Sequence, residues 1–236
     1  MKRVPTITVL TVLILAAAAP ALAQKPRGKA APPPPKEIVV IAPVERVPVN
    51  QGRLEGDTYS NDFFGLSFSV APGWVAVDHT TRKSIQKEGM EVIAEGASEK
   101  KKAQLDAAMA RVFVLLNVSK YDVNTPRPEF NALLSCIAER VPTAVIKTGG
   151  DYIAASLRAF NGMNAKAEVV GRLRTETVGG LPFTVADIKV TAGPRVIAQR
   201  YHVRLVKGHA LVFIFAYMDE EDLKAYNGMI RSVKFK

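Results

Sequence analysis

The sequence is poor in the residues that most often carry out chemistry. Its 236 residues include one cysteine, Cys136, and three histidines. A single cysteine cannot form an intramolecular disulfide, so a disulfide-stapled scaffold and a zinc site of several cysteines are excluded. The chain also lacks a G-x-x-x-x-G-K-[ST] phosphate loop and the G-x-G-x-x-G, G-x-S-x-G and H-E-x-x-H motifs. The sequence therefore indicates no reaction, no metal and no cofactor.

Long apolar runs are scarce as well. After residues 7–19, the longest run without a polar residue covers residues 210–218, far fewer than the roughly 20 residues of a membrane-spanning helix. The composition is that of a folded domain, with 48% hydrophobic residues, 23% charged residues and a mean hydropathy of +0.07. One globular domain is the default expectation for a chain of this length.

The charge of the chain is mildly basic. Lysine and arginine total 32 against 22 aspartate and glutamate residues, a formal net charge of +10. This excess favours a weak attraction to anionic surfaces of the cell envelope. The basic residues are scattered along the chain and are not interleaved with aromatic residues, so the sequence does not predict nucleic-acid binding.

The start of the chain has the pattern of a bacterial signal peptide, predicted over residues 1–23. Two basic residues, Lys2 and Arg3, precede the uncharged apolar residues 7–19, and an Ala-Leu-Ala tripeptide ends at Ala23. Cleavage is predicted between Ala23 and Gln24. An uncleaved anchor is the alternative, but the apolar run is shorter than a membrane span requires. We therefore expect a periplasmic or secreted protein with no transmembrane segment after cleavage.

Residues 24–56 are predicted to form a proline-rich linker. Seven of the 15 prolines lie here, four of them consecutive. Proline restricts φ and has no N–H group, so this stretch should be extended and semi-rigid. A proline-rich ligand for another domain is the alternative. Within the linker, residues 38–44 are apolar enough to dock on the body as an edge strand, or to bind a partner.

A globular domain is expected over residues 57–236, where the hydrophobic periodicity predicts both strands and helices. Strands are predicted over residues 64–70, 111–118, 165–177, 181–191, 196–206 and 209–217. Helices are predicted over residues 82–95, 98–109, 128–142, 151–160 and 219–230. Turns at Gly179-Gly180 and Lys207-Gly208 join β-rich runs and indicate an antiparallel meander. Helices covering an antiparallel sheet define an α+β fold.

Several elements are predicted in more detail. Residues 111–118 and 211–217 are apolar on both alternating sets, as in central strands covered on both faces. The helix between Pro128 and Pro142 depends on four apolar residues at helical spacing: Phe130, Leu133, Leu134 and Ile137. The next helix is predicted to be capped by Asp151 after a break in the chain just ahead of it.

Three stretches resemble the PsbP-like superfamily. These are YSNDFFGLSFSVAPGW at residues 59–74, RYHVRLVKGHALVFIFAY at residues 200–217, and SVKF at residues 232–235. The resemblance covers residues 57–236 and is strongest to exported bacterial members. It implies an α/β/α sandwich around a mostly antiparallel sheet, and it favours binding or assembly roles without catalysis. It assigns no functional residue to this chain.

The residues with the greatest chemical potential each have a structural interpretation. Cys136 lies beside the predicted apolar stripe of a helix, which favours a buried, inert thiol; a nucleophile of a thiol enzyme or small hydrolase is the alternative. His202 and His209 flank a hairpin turn without lying opposite one another, so no shared metal is predicted. Trp74 is expected to pack in the core or at its rim and not to serve as a ligand platform.

Two further motifs also have structural interpretations. The four acidic residues from Asp219 to Asp222 are expected to cap the first turn of the last helix, with a cation site as the alternative. Asn117-Val118-Ser119 matches the glycosylation pattern only formally, because it lies on a predicted strand in a chain with a bacterial signal.

The sequence as a whole predicts a non-catalytic, exported binding or accessory protein of the bacterial cell envelope. Its ligand or partner is unknown; an envelope protein or an anionic envelope surface fits the composition. One alternative is an envelope assembly or stress component that acts through protein contacts. The other is a small hydrolase or thiol enzyme that uses Cys136.

Overall fold

The computed structural model describes residues 49–125, 130–159, 165–192 and 195–236. The predicted signal peptide, the cleavage point between Ala23 and Gln24, and most of the predicted linker lie outside these residues. The strands are β1 (Arg53–Glu55), β2 (Thr58–Asn61), β3 (Leu66–Ser69), β4 (Val75–Ala76), β5 (Val112–Ser119), β6 (Leu133–Arg140), β7 (Lys166–Val178), β8 (Leu181–Ala192), β9 (Arg195–Val206), β10 (His209–Tyr217) and β11 (Lys234–Phe235). The helices are α1 (His79–Ala94), α2 (Glu99–Met109), α3 (Gly149–Ala159) and α4 (Glu220–Arg231).

The strands form two antiparallel sheets. The larger sheet has seven strands in the order β4-β5-β6-β10-β9-β8-β7, and the smaller has four in the order β1-β2-β3-β11. Strand β1 pairs with β2, with Arg53 opposite Ser60. The folded part of the chain therefore already includes residues 53–55, which the proline content assigns to the linker.

Helices cover both faces of the large sheet. Residues of α4 and of the small sheet pack on one face, including Phe68 and Tyr226, which share a buried cluster with Phe213. Residues of α3 pack on the other face, where Ile153 joins a cluster with Val212. These layers confirm the predicted α+β class and the α/β/α sandwich around a mostly antiparallel sheet.

The helix predicted between Pro128 and Pro142 is wrong, because residues 133–140 form strand β6. Strand β6 lies between β5 and β10, and its residues are buried from Leu133 to Glu139. A continuous apolar run matches helical spacing and strand spacing equally well, so periodicity alone cannot distinguish the two. The backbone pairing with two neighbouring strands decides in favour of the strand.

The predicted meander is confirmed, and so are its turns. Strands β7 to β10 follow one another in the sheet as antiparallel neighbours. At the β9–β10 turn, Lys207 and Gly208 both have positive φ, 50° and 74°. Two consecutive residues with positive φ are the requirement of a two-residue type I′ hairpin, whose twist matches that of the strands. Glycine supplies one of these positions without strain.

Helix α3 begins earlier than predicted. The Thr148 hydroxyl accepts a hydrogen bond from the Asp151 N–H at 3.0 Å, and the Asp151 carboxylate accepts one from the Thr148 N–H at 2.9 Å. This reciprocal arrangement is a capping box. Asp151 thus lies in the first turn and is not the N-cap, and the two glycines before it, Gly149 and Gly150, begin the helix instead of breaking the chain.

Gly149 brings α3 into close contact with the sheet. A Cβ at this position would lie 2.7 Å from Thr184 Oγ1 and 2.9 Å from the Val203 carbonyl oxygen. Carbon atoms cannot approach oxygen atoms so closely, and the Val203 oxygen belongs to the backbone of β9. At Gly150 the first atom that a Cβ would meet is the flexible end of Leu173, at 3.3 Å.

We expect Gly149→Ala to destabilise the protein by about 1–3 kcal/mol, the usual cost of overpacking. Gly150→Ala is the matched control, and it should be neutral or should stabilise by up to about 1 kcal/mol, since alanine lowers the entropy of the unfolded chain. Urea unfolding of both variants measures the difference. Equal stabilities would show that α3 can move away from the sheet at no cost.

Candidate functional site

The thiol of Cys136 is inaccessible. Cys136 lies in the middle of β6, and its side chain is 0% exposed. Burial raises the pKa of this thiol well above its usual range, because the thiolate would lose its hydration. The interpretation of Cys136 as a buried thiol agrees with this position, although the element is a strand and not a helix. A nucleophilic role would need both exposure and a lowered pKa.

We expect a thiol reagent to leave Cys136 unmodified in the native protein and to modify it fully in denaturant. The native protein should react far more slowly than the denatured protein, because the reagent reaches the Cys136 thiol only when the core opens. Mass spectrometry after timed exposure to the reagent measures it. Modification of the native protein at the rate of a free thiol would restore Cys136 as a candidate nucleophile.

The two histidines of the β9–β10 hairpin make separate contacts. His202 is buried and opposite Phe213, whereas His209 lies beside the turn, where its Nδ1 is 2.8 Å from the Lys207 carbonyl oxygen. In the parts of the chain that the structure describes, no three His, Cys, Asp or Glu residues come together as they would around a metal ion.

The acidic residues at the start of α4 have two different roles. Asp219 is the N-cap, and its carboxylate accepts a hydrogen bond from the Asp222 N–H at 2.8 Å. The predicted capping role is therefore confirmed for Asp219. Asp222 has a second role that no sequence pattern indicates: its carboxylate is 3% exposed and forms an ion pair with Lys120, Oδ1 to Nζ, at 2.8 Å. This bond also raises the pKa of Lys120.

A cleft lies between the turn that joins β3 to β4 and helix α4; we call it the Trp74 cleft. Its volume is about 650 Å³, within the usual range of small-molecule sites. Its lining is apolar on the turn and mixed on the helix: Ser69, Val70, Ala71, Pro72, Gly73, Trp74, Lys120, Glu221, Asp222, Lys224, Ala225, Gly228, Met229 and Arg231. Such a lining offers an aromatic surface, hydrogen-bond donors and carboxylates within one cavity.

Trp74 occupies the wall of this cleft opposite α4. Its ring is half-buried and packs on Phe215, with the ring centres 5.9 Å apart. The packing role expected from the sequence is thus present. The same side chain also borders the cavity, so one part of the indole packs on the core and another part faces the space.

Gly228 forms part of the facing wall. It lies inside α4, and a Cβ built on it would meet no atom within 4 Å. Its φ is not positive, so the backbone does not demand glycine here. Glycine inside a helix costs about 0.5–1 kcal/mol relative to alanine. Neither packing nor backbone conformation requires glycine here, and the position borders the open space of the Trp74 cleft.

A second polar cluster holds α4 on the sheet; we call it the His202 network. The imidazole of His202 lies between Glu176 and Tyr226, with Nε2 3.1 Å from Glu176 Oε2 and Nδ1 2.7 Å from the Tyr226 hydroxyl. Arg174 links this group to the rest of the network, since it contacts Glu176 at 2.7 Å and Asp187 at 2.8 Å. Asp187 also accepts from Arg200, at 2.6 Å. The two arginines of this network balance its two carboxylates in charge. Through the Tyr226 hydroxyl, the network positions helix α4.

The described residues include no helix that is both long enough and apolar enough to cross a membrane. No protein-family model and no curated protein sequence matches the chain. Solved structures with a similar arrangement include a cyanobacterial PsbP (CyanoP) from Synechocystis sp. PCC 6803, with 16% identity, a TM-score of 0.46, and coverage of 78% of this chain and 98% of that one.

A second structure with a similar arrangement is LpqN, described as involved in cell envelope biogenesis of Mycobacterium tuberculosis. It has 11% identity and a TM-score of 0.40, and the alignment covers 72% of this chain and 83% of that one. The first of the two structures is a PsbP, the family that the sequence motifs resemble. Because both TM-scores are below 0.5, the architecture of this protein rests on the strands and helices of its own chain.

The sequence drew attention to Trp74 and to the acidic residues from Asp219 to Asp222, and it did not indicate Gly228 as part of a site. Gly228 lies inside helix α4, and an isolated glycine in a helical pattern often has a packing or functional reason. The Lys120–Asp222 pair joins residues far apart along the chain, and no periodicity reports such a contact. The His202 network likewise joins three strands and a helix.

The burial of His202 predicts a loss of stability in mild acid. Burial lowers the pKa of His202, and the nearby Glu176 offsets this only in part. As the pH falls through about 6.5, the ordinary pKa of histidine, the unfolded chain binds a proton that folded His202 does not. The free energy of unfolding should then fall by at most about 1.4 kcal/mol per pH unit, until the lower, folded pKa is reached.

Urea unfolding between pH 7 and pH 5 tests this dependence in wild type, His202→Gln and His79→Gln. His79 is exposed at the start of α1, and its variant is the matched control. His202→Gln should be less stable at pH 7 and should show a flatter slope. The same slope in all three proteins would contradict the proposed role of His202.

Proposed function

We propose that this chain is an exported, non-catalytic binding protein of the bacterial cell envelope, and that the Trp74 cleft receives its ligand. The observation that carries the proposal is Gly228, a helix-interior glycine in the wall of the cleft, where a Cβ would meet no atom within 4 Å. A chain that accepts the helical cost of glycine at this wall gains room for an occupant.

The shape and chemistry of the cleft support binding. Its volume of about 650 Å³ suits a small molecule or a few residues of a peptide. The Lys120–Asp222 ion pair at the side of the cleft has an Nζ to Oδ1 distance of 2.8 Å. Because this contact already fixes both side chains, binding a ligand costs no further conformational entropy at either of them. Preorganised polar groups beside an apolar surface give orientation and affinity together.

Export is supported by the signal-peptide pattern, in which Lys2 and Arg3 precede the apolar residues 7–19. Cleavage between Ala23 and Gln24 would leave the predicted proline-rich linker as the connection between the new N-terminus and strand β1, which begins at Arg53. The absence of catalysis is part of the proposal. It is supported by the burial of Cys136, the residue on which the enzyme alternative depends.

Substitutions at Gly228 test the site without damaging the fold. Gly228→Leu should fill the space beside Trp74 and abolish binding, yet leave the protein at least as stable as wild type. Gly228→Ala should add about 0.5–1 kcal/mol of stability and retain most of the binding. The measurement is a thermal-shift screen of amino acids, short peptides and saccharides, with native mass spectrometry to detect molecules retained from the host.

The outcomes separate binding in this cleft from binding elsewhere. A ligand that shifts the melting temperature of wild type and of Gly228→Ala, but not of Gly228→Leu, supports the proposal. A ligand that stabilises all three proteins equally binds at another place and contradicts it. The intact mass of the exported protein tests the predicted cleavage, since the loss of residues 1–23 leaves Gln24 as the first residue.

A further inference from the structure

Helices α1 and α2 enclose an apolar groove, which we call the α1–α2 groove. Its volume is about 590 Å³, and its lining includes apolar residues on both helices: Met90, Ala94, Leu105 and Met109. Lysines border it: Lys83, Lys87 and Lys102. Methionine side chains are flexible and polarizable, so a surface built on them adapts to the shape of an apolar partner.

Few of the described side chains of the two helices are buried. Among the residues of α1 whose burial the structure describes, only Gly89 is buried, and in α2 only Ala108 is buried. Most helices in proteins are stabilised by the packing of one face and not by helix propensity alone. Met109 packs against a buried cluster of the large sheet, and the other described apolar residues of the groove are available for an additional contact.

We propose that residues 38–44 of this same chain occupy the α1–α2 groove. The path of the backbone supports this choice. Val49 packs against the core cluster of the small sheet, and the Arg82 side chain contacts Gln51, Nη2 to Oε1, at 3.5 Å. The chain that precedes residue 49 therefore emerges beside the first turn of α1, and the groove begins there, at Lys83.

The connection is long enough for this arrangement. From residue 44 to Gln51 there are seven peptide steps, which span at most about 25 Å when extended. From Arg82 to Met90 the helix rises about 12 Å. Residues 38–44 can thus lie along the groove without moving any described element.

The chemistry of the two surfaces is complementary. Residues 38–44 are Ile-Val-Val-Ile-Ala-Pro-Val, and a glutamate flanks them on each side, Glu37 and Glu45. The apolar side chains match the methionine- and leucine-containing floor, and the glutamates match the bordering lysines. The neighbouring Lys36 and Arg46 have counterparts in Glu91 and Asp106 of the lining.

Engineered cysteines test this contact directly, because the native Cys136 is buried. The full chain carrying Val40→Cys and Met90→Cys should give an intramolecular cross-link with a short bismaleimide. The matched control pairs Val40→Cys with Val196→Cys, an exposed position on β9, and should give at least about tenfold less cross-link, since only docking raises the effective concentration. Intact mass and peptide mapping identify the products.

Each result of the cross-linking experiment either supports or overturns the docking of residues 38–44 in the groove. Equal cross-linking in the two pairs, or none with Met90→Cys, overturns the proposal. A cross-linked dimer from the Val40→Cys and Met90→Cys pair also overturns it, because the occupant would then belong to a second copy of the chain.

Hydrogen exchange gives a second measurement that needs no cross-linker. Ile41→Asp should release the segment and speed the exchange of amides in α1 and α2 about tenfold, since these helices would lose a stabilising contact. Ile41→Leu should leave the exchange unchanged. Unchanged exchange in Ile41→Asp overturns the proposal.

Protection of both helices by anionic vesicles, in Ile41→Asp and wild type alike, would assign the groove to a membrane surface and would overturn it too.

Discussion

The ring of Phe215 supports both walls of the Trp74 cleft. It is fully buried in β10, stacks on Tyr226 of α4 at 4.5 Å with the planes 2° apart, and packs on Trp74 at 5.9 Å. The Tyr226 side chain is buried beneath α4, the helix that forms the wall opposite Trp74. The distance between the two walls thus depends on one aromatic side chain at the centre of the large sheet, where packing is densest and least able to change.

Strand β10 can support this arrangement because it is covered on both faces. Phe213 and Phe215 point towards α4 and the small sheet, whereas Val212 and Ile214 point towards α3. The His202 network then fixes α4 a second time, through a hydrogen bond to the Tyr226 hydroxyl of 2.7 Å. Apolar burial supplies the cohesion, and the buried hydrogen bond limits the rotation of the helix, because a buried hydroxyl without a partner is costly.

Most elements that depend on residues close together in the sequence were predicted correctly, whereas those that depend on distant residues were not. The meander strands, the hairpin turn at Lys207-Gly208 and the cap at Asp219 depend on neighbouring residues, and each was predicted correctly. Strand β6 was predicted as a helix because its apolar run is continuous. The N-cap of α3 was predicted at Asp151, three residues after its position at Thr148, since both residue types satisfy the pattern of a cap and only the hydrogen bonds distinguish them.

The sequence by itself determined the α+β class, the four meander strands and the turn and cap residues, because these follow from local conformational preferences. Tertiary structure decided the position of β6, the pairing of Lys120 with Asp222 and the placement of Trp74 opposite Gly228. Each of these joins residues far apart in the chain. Their meeting depends on which strands become neighbours, and that is settled by the collective burial of both faces of the sheet and not by any single segment.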